Sequence, residues 1–318
     1  GWFQTTFAMA GRTCREAVGR VPNTRGVLTE EELGQMEVRR RNPHAPLAPL
    51  AVAVVEGDVE ALAWLIQLFD GKGLNWRADD FGSKLLPWLA IWRGKIDSLT
   101  CLRANGCPWD AHICTIAARR GHLEVLQWAR QNGCPWNEWT CAAAAWEGHL
   151  EVLQWARQNG CPWNERTCMG AAEGGHLEVL MWARQNGCPC DLETCWKAAK
   201  GRHLEVLQWL RQNGCSWDEW TCEAAAKGGH LEVLQWLRQN GCSWDEWTCE
   251  GAAEGGHLEV LQWARQNGCR WDEETCRAAA TGGHLAVLQW AHQNGCPWNR
   301  RTWNSAHSRC RPYMIERG

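Results

Sequence analysis

From Gly94 onward, apolar residues return in one short pattern, clearest at residues 121–132, which read Gly-His-Leu-Glu-Val-Leu-Gln-Trp-Ala-Arg-Gln-Asn. Leu123, Val125, Leu126, Trp128 and Ala129 make a wide apolar stripe at helical spacing, with Glu124, Gln127 and Gln131 opposite. A stripe this wide suits a helix packed between two neighbours. Gly133 stops the helix, because glycine enters the left-handed conformation at little cost. Cys134-Pro135-Trp136 then leads to Asn137, a position held by Asp or Asn in every unit from Asp110 to Asn299. A short side-chain oxygen there caps the free amides of a second, shorter helix, predicted over Glu138–Trp146. That helix is built on Cys141, Ala144 and Ala145, and such small residues predict a close approach to its neighbours.

The pattern recurs every 27 residues, from Gly121, Gly148, Gly175, Arg202, Gly229, Gly256 and Gly283, with a looser copy from Gly94. A still looser copy starts at Gly57, and its additional length is assigned to loops in or near residues 69–73 and 79–82. One unit is too small to bury its own apolar face, so the units must stack. The predicted fold is therefore an all-α helix-turn-helix repeat solenoid of about nine repeats over residues 45–299. Residues 1–44 are predicted to be an irregular arm with one short helix at 29–40, where Thr29 and Glu32 suggest a capping box. Residues 300–318 are read as a C-terminal capping segment whose helix frays near Pro312.

The signature Ala171-Ala172-Glu173-Gly174-Gly175-His176-Leu177-Glu178-Val179-Leu180 resembles the ankyrin repeat, and the following Asn-Gly-Cys is similar to that family's Asn-Gly-Ala. Two departures accompany the resemblance. The period is 27 residues against about 33 in the family. The Thr-Pro-Leu-His motif is absent, its place being taken by segments such as Glu165-Arg166-Thr167-Cys168. The missing residues fall where ankyrin repeats carry a projecting β-hairpin finger, so little or no β-structure and no finger-mediated binding are expected. The resemblance implies a scaffold that binds other proteins along the concave face of its stacked helices.

Three positions on the short helix differ from unit to unit, spaced i, i+3 and i+7 and so on one helix face. They hold Trp139, Arg166, Glu193, Trp220, Trp247 and Glu274; Met169, Trp196, Glu223, Glu250 and Arg277; and Trp146, Glu173, Lys200, Lys227 and Glu254. Charged members such as Glu223 and Lys227 would suit any solvated face. Clustered tryptophan in water instead suggests a partner, and these residues form the candidate protein-binding surface. By contrast, Trp128, Trp155, Trp182, Trp209, Trp236, Trp263 and Trp290 recur at the full period, as do Trp136, Trp163, Trp217, Trp244, Trp271 and Trp298. Their regularity predicts core positions. Cys190 interrupts the second series and is read as a looser joint.

Composition sharpens this picture in only a few respects. The chain has 25 Trp and 19 Cys but one Tyr and four Phe, an imbalance produced by the repeat itself. An odd number of cysteines at a fixed period argues against a secreted disulfide framework and for a reducing, intracellular compartment, cytoplasmic or inside an organelle. A net charge of −3 offers no basic footprint for nucleic acid. No apolar run is long enough to span a bilayer, so membrane insertion is not expected. Gly1 in place of Met indicates a processed product or a piece of a longer protein.

Each unit also repeats two cysteines and a histidine, as in Cys134, Cys141 and His149. Zinc sites favour closer cysteine pairs, so no metal ligands are assigned; buried thiols behave as small apolar residues, and the histidine is expected to bond backbone between the two helices. No catalytic residue is assigned either, since no singular nucleophile, base or phosphate loop stands out from the repeating background, and no cofactor is expected. The expected partners are one or more proteins. A linker subunit built into a multi-subunit assembly is the second reading, and a metal-binding or redox Cys/His repeat protein the third.

Overall fold

The structure, a computed structural model, describes residues 47–71 and 80–317. The predicted arm at 1–44, with its helix at 29–40, lies outside the described residues. The chain divides into two compact units at Trp136 and Asn137. Unit one holds α1 (Leu47–Glu56), α2 (Val59–Gly71), α3 (Asp80–Trp92), α4 (Ile96–Ala104), α5 (Ala111–Arg119) and α6 (Leu123–Gln131). Unit two holds α7 (Glu138–Trp146), α8 (Leu150–Gln158), α9 (Glu165–Gly174), α10 (Leu177–Gln185), α11 (Leu192–Lys200), α12 (Leu204–Gln212), α13 (Glu219–Lys227), α14 (Leu231–Gln239), α15 (Glu246–Glu254), α16 (Leu258–Gln266), α17 (Glu273–Gly282), α18 (Leu285–Gln293), α19 (Arg300–Ser305) and α20 (Arg311–Arg317). Among the described residues there is no strand, and paired helices repeat throughout. The loops expected at 69–73 and 79–82 are partly helical: residues 69–71 close α2 and residues 80–82 open α3, while 72–79 are outside the description.

Local chemistry sets the helix ends. Asp110 Oδ1 accepts the His112 amide at 2.9 Å, and Asn137 and Asn164 do the same for Trp139 and Arg166 at 3.1 Å. At the other end of α6, Gly133 sits at φ 78° while the amides of Gly133 and Cys134 close back onto Arg130 and Ala129. That is the Schellman arrangement, which satisfies the last carbonyls of the helix.

Within unit two, α7, α9, α11, α13, α15, α17 and α19 form one row in which each helix packs closely on the next. Alanine, glycine and cysteine make this possible. A Cβ on Gly170 would lie 2.8 Å from the Ala142 carbonyl oxygen, so the two helices meet nearly backbone to backbone. The second row, α8 to α18, buries its Val, Leu and Ala stripe, for example Val152, Leu153 and Ala156. Connecting-loop cysteines tie consecutive units: Cys161 Sγ donates to the Asn137 carbonyl at 3.5 Å, Cys188 to Asn164 at 3.3 Å and Cys269 to Asp245 at 3.1 Å. A bond to Cys161 and burial together push the Cys141 thiol far up, so it stays protonated.

The histidine after each glycine does not join the two helices of its own unit, as the sequence suggested. Its Nε2–H donates instead to a carbonyl 30 residues upstream, in the preceding unit: His203 to Glu173 at 3.0 Å, His230 to Lys200 at 2.9 Å, His257 to Lys227 at 3.1 Å and His284 to Glu254 at 3.0 Å. In unit one, His122 makes the same contact with Trp92 at 3.3 Å. The rings of His203, His257 and His284 fill the space over the preceding unit's glycine, where a Cβ on Gly229 would lie 2.6 Å from the His257 ring. The carbonyls reached are unpaired acceptors near helix C-termini, so one imidazole caps a helix and clamps two units together.

The periodic tryptophans also differ from expectation, being half-buried and not core residues. They form an aromatic ladder across units, with Trp163–Trp182, Trp217–Trp236 and Trp244–Trp263 edge to face at 5.8, 5.5 and 5.7 Å. Arginines cover the loop members, Arg157 lying 4.1 Å from the Trp163 ring and Arg238 4.2 Å from that of Trp244. Regular spacing reported a constrained position, not a buried one. At the C-terminus the chain does not fray at Pro312, which sits in the first turn of α20 where its missing N–H is harmless. That segment buries Met314 and sets Tyr313 edge-on to Trp298 at 6.1 Å, closing the last unit.

Arg202, at φ 64°, is the one non-glycine residue with positive φ among the described residues, at a position glycine otherwise holds. Replacing it with glycine should raise stability by about 1 kcal/mol in urea unfolding by relieving left-handed strain, whereas Gly229→Ala should lower it by more; a loss in Arg202→Gly would show that the arginine side chain outweighs its backbone cost. His230 supplies a pH dependence. Burial lowers its pKa below the usual 6.5, helped by Arg202, His257 and His203 nearby. A depressed histidine pKa contributes stability above the unfolded value that is lost as pH falls through the folded value. The urea midpoint of the wild type should therefore fall more steeply than that of His230→Gln between about pH 7 and 5; parallel curves would exclude this histidine as a source.

Candidate functional site

The first-row helices of unit two carry every residue of the candidate surface, one short face per unit. Alanines and cysteines on the other side of each helix hold that face outward, because only small side chains fit between neighbouring first-row helices. Trp139, Trp146, Trp220 and Trp247 are the large apolar side chains left most open there, at 47%, 45%, 46% and 39% of full exposure. Arg166, Glu193, Lys200, Lys227 and Glu254 are exposed, while Met169, Glu173, Trp196, Glu223, Glu250, Glu274 and Arg277 are half-buried.

The fold brings most of these residues into pairs between consecutive units. Trp220 and Trp247 lie with ring centroids 4.4 Å apart and planes inclined by 30°. The Arg166 guanidinium rests 4.5 Å from the Trp139 ring. Lys227 reaches Glu254 at 2.7 Å, and Arg277 bridges Glu250, at 3.6 Å, and Glu274. Glu193 and Met169 enter none of these pairs. Burial raises the carboxyl pKa values of Glu223 and Glu250, opposed by Lys227 and Arg277 respectively and reinforced by the other glutamates. The surface thus alternates aromatic platforms with balanced charge. Such an arrangement can bury apolar side chains and pair both charge signs.

One contributor escaped the unit-by-unit comparison. Lys197 donates to Glu173 at 2.8 Å, with side-chain exposures of only 19% and 17%, and its ammonium lies 4.8 Å from the Trp196 ring. Lys200 also approaches Glu173, at 3.8 Å. The signal was present in the sequence, because the equivalent positions hold Ala143, Gly170, Ala224, Gly251 and Ala278. A lone lysine in an alanine and glycine series marks a local specialisation.

Among the described residues, no group of three or more His, Cys, Asp or Glu is arranged to hold a metal ion, and no helix is long and apolar enough to cross a membrane. Residues 114–157 and 195–238 match the family profile described as "Ankyrin repeats (many copies)". Comparison with curated proteins finds no match. Among solved structures, the human ASB11 ankyrin repeat domain matches with 16% identity and a TM-score of 0.44, over 56% of this chain and 97% of that one.

Lys197→Ala should cost about 1 kcal/mol of stability, since a shielded ion pair and a cation–π contact are lost together. Lys227→Ala should cost less than about 0.5 kcal/mol, because its ion pair with Glu254 is half exposed. Urea unfolding of the two variants checks the ranking; equal losses would mean that shielding does not matter here.

Proposed function

Since this chain is an ankyrin-repeat protein, we propose that it is a non-catalytic scaffold that binds partner proteins along the outward face of its first-row helices. The family is generally one of protein-interaction scaffolds; the particular surface is our assignment. One observation carries it: Trp220 and Trp247 lie against each other, ring centroids 4.4 Å apart, yet remain 46% and 39% exposed. Rings in mutual contact are already held in place, so a partner can cover them with little further loss of side-chain freedom. Tryptophan is among the residues that most often dominate binding energy, especially in an aromatic cluster ringed by polar groups. Here the ring is supplied by Glu223, Lys227, Glu250 and Glu254, two of them raised-pKa carboxyls that could accept hydrogen bonds from a basic or neutral partner. The repeat array is proposed to run over residues 45–299, with 1–44 as an arm and 300–318 as its cap.

Partners captured by the full chain from its native source, under mild and then high-salt washing, provide the test. Trp220→Ala and Trp247→Ala should each weaken binding by about 30-fold, equivalent to about 2 kcal/mol, with thermal unfolding unchanged. Retention of every partner by both variants would sink the assignment. A fixed stoichiometric set that survives high salt in the wild type would mark a built-in subunit using the same face.

A further inference from the structure

The connecting-loop cysteines of unit two follow one rule, broken at one place. Cys161, Cys188, Cys242, Cys269 and Cys296 each donate to the carbonyl of the helix-capping Asn or Asp 24 residues upstream, at 3.1 to 3.5 Å. Cys215 instead faces Cys190, with the two sulfurs 3.1 Å apart. Cys190 stands where neighbouring units carry Trp163 and Trp217, and it is the one described cysteine that is half-buried instead of buried. Cys215 is 8% exposed, where Cys161, Cys188, Cys242 and Cys269 are fully enclosed. Loss of the indole therefore opens a window onto a pair of thiols in consecutive connecting loops.

We propose that Cys190 and Cys215 are a reversible redox pair, oxidised by a peroxide to a disulfide that staples two adjacent repeats together. Closing the bond requires the sulfurs to approach by about 1 Å, to the usual disulfide length, and both lie in loops rather than within helices. Other features assign the roles. The hydrogen bond from Cys215 and the Arg184 guanidinium hold the Cys190 thiol below its usual value, so it supplies the thiolate. The counterparts of Arg184, Arg157 and Arg211, lie over Trp163 and Trp217 at 4.1 and 4.4 Å; at this joint the ring is missing and the charge acts on sulfur. Cys195 does not compete, since burial pushes its thiol up to about 12.

The chemistry balances in two steps. The Cys190 thiolate attacks one peroxide oxygen and the O–O bond breaks, giving a sulfenic acid and, with the thiol's proton, one water. Cys215 then attacks the sulfenic sulfur, the S–O bond breaks, and the Cys215 proton leaves with the hydroxyl as a second water. The two thiols lose two electrons and the peroxide gains them. A dithiol reductant reverses the bond by exchange.

The folded full chain, treated with stoichiometric hydrogen peroxide, quenched by alkylation and digested without reduction, tests this. The expected result is a Cys190–Cys215 cross-linked peptide lighter than its parts by two hydrogens, removed by dithiothreitol, together with a thermal midpoint that rises on oxidation and returns on reduction. Cys190→Ser should abolish the cross-link and the peroxide response of the midpoint. Cys190→Trp, which installs the residue of the neighbouring units, should do the same. The proposal is overturned if Cys190 accumulates as sulfinic acid beside a free Cys215, if it links to another cysteine, or if it stays reduced while the peroxide is consumed elsewhere.

Discussion

Close contact between successive first-row helices governs everything else in unit two, because helices of nine or ten residues have no independent stability in water. Their stability must come from neighbours, and the neighbours must be near. Near Gly170 and Ala142 the separation leaves no room for even a methyl group. The alanines, glycines and cysteines of these helices are thus fixed by one requirement. The histidine clamp depends on the same close stacking, since its ring reaches the preceding unit's carbonyl over a position that glycine holds in most units.

A stack held this way leaves its outer surfaces with little structural duty. Ion pairs such as Lys227–Glu254 are half exposed and contribute little. The first-row face can therefore change from unit to unit without endangering the fold, which is what a binding surface needs. The aromatic ladder on the loops is less free. Trp163, Trp217, Trp244 and Trp271 are each held by an arginine and by the next unit's tryptophan, and they shield the connecting loops beneath.

That shielding explains why one substitution matters more than its size suggests. Elsewhere the thiols behave as small, enclosed side chains whose weak hydrogen bonds follow the stack. At Cys190 the covering ring is exchanged for a sulfur. The change exposes its neighbour, redirects the Cys215 bond and leaves Arg184 without a ring to cover. What the structure places at this joint is a pair of facing thiols.

Much of this was legible in the chain because repetition allows one unit to be read against the next. Helix ends, the capping asparagines and aspartates apart from Asp218, whose side chain makes no cap bond, the glycine stops and the all-α class depend on residues within a turn of one another, and the sequence alone determined them. Its variable positions likewise located the outward face that carries Trp220, Trp247 and their charged neighbours. What only the tertiary structure decided lies between units. His203 finds its carbonyl 30 residues away, and Cys190 meets Cys215 across 25. The Trp163 ring lies under Arg157 and edge to face with Trp182, half-buried. A period shows that a position is constrained but not how deeply it is buried or what it touches. Those depend on the offset between stacked units, which is set by backbone contact between residues far apart in the chain.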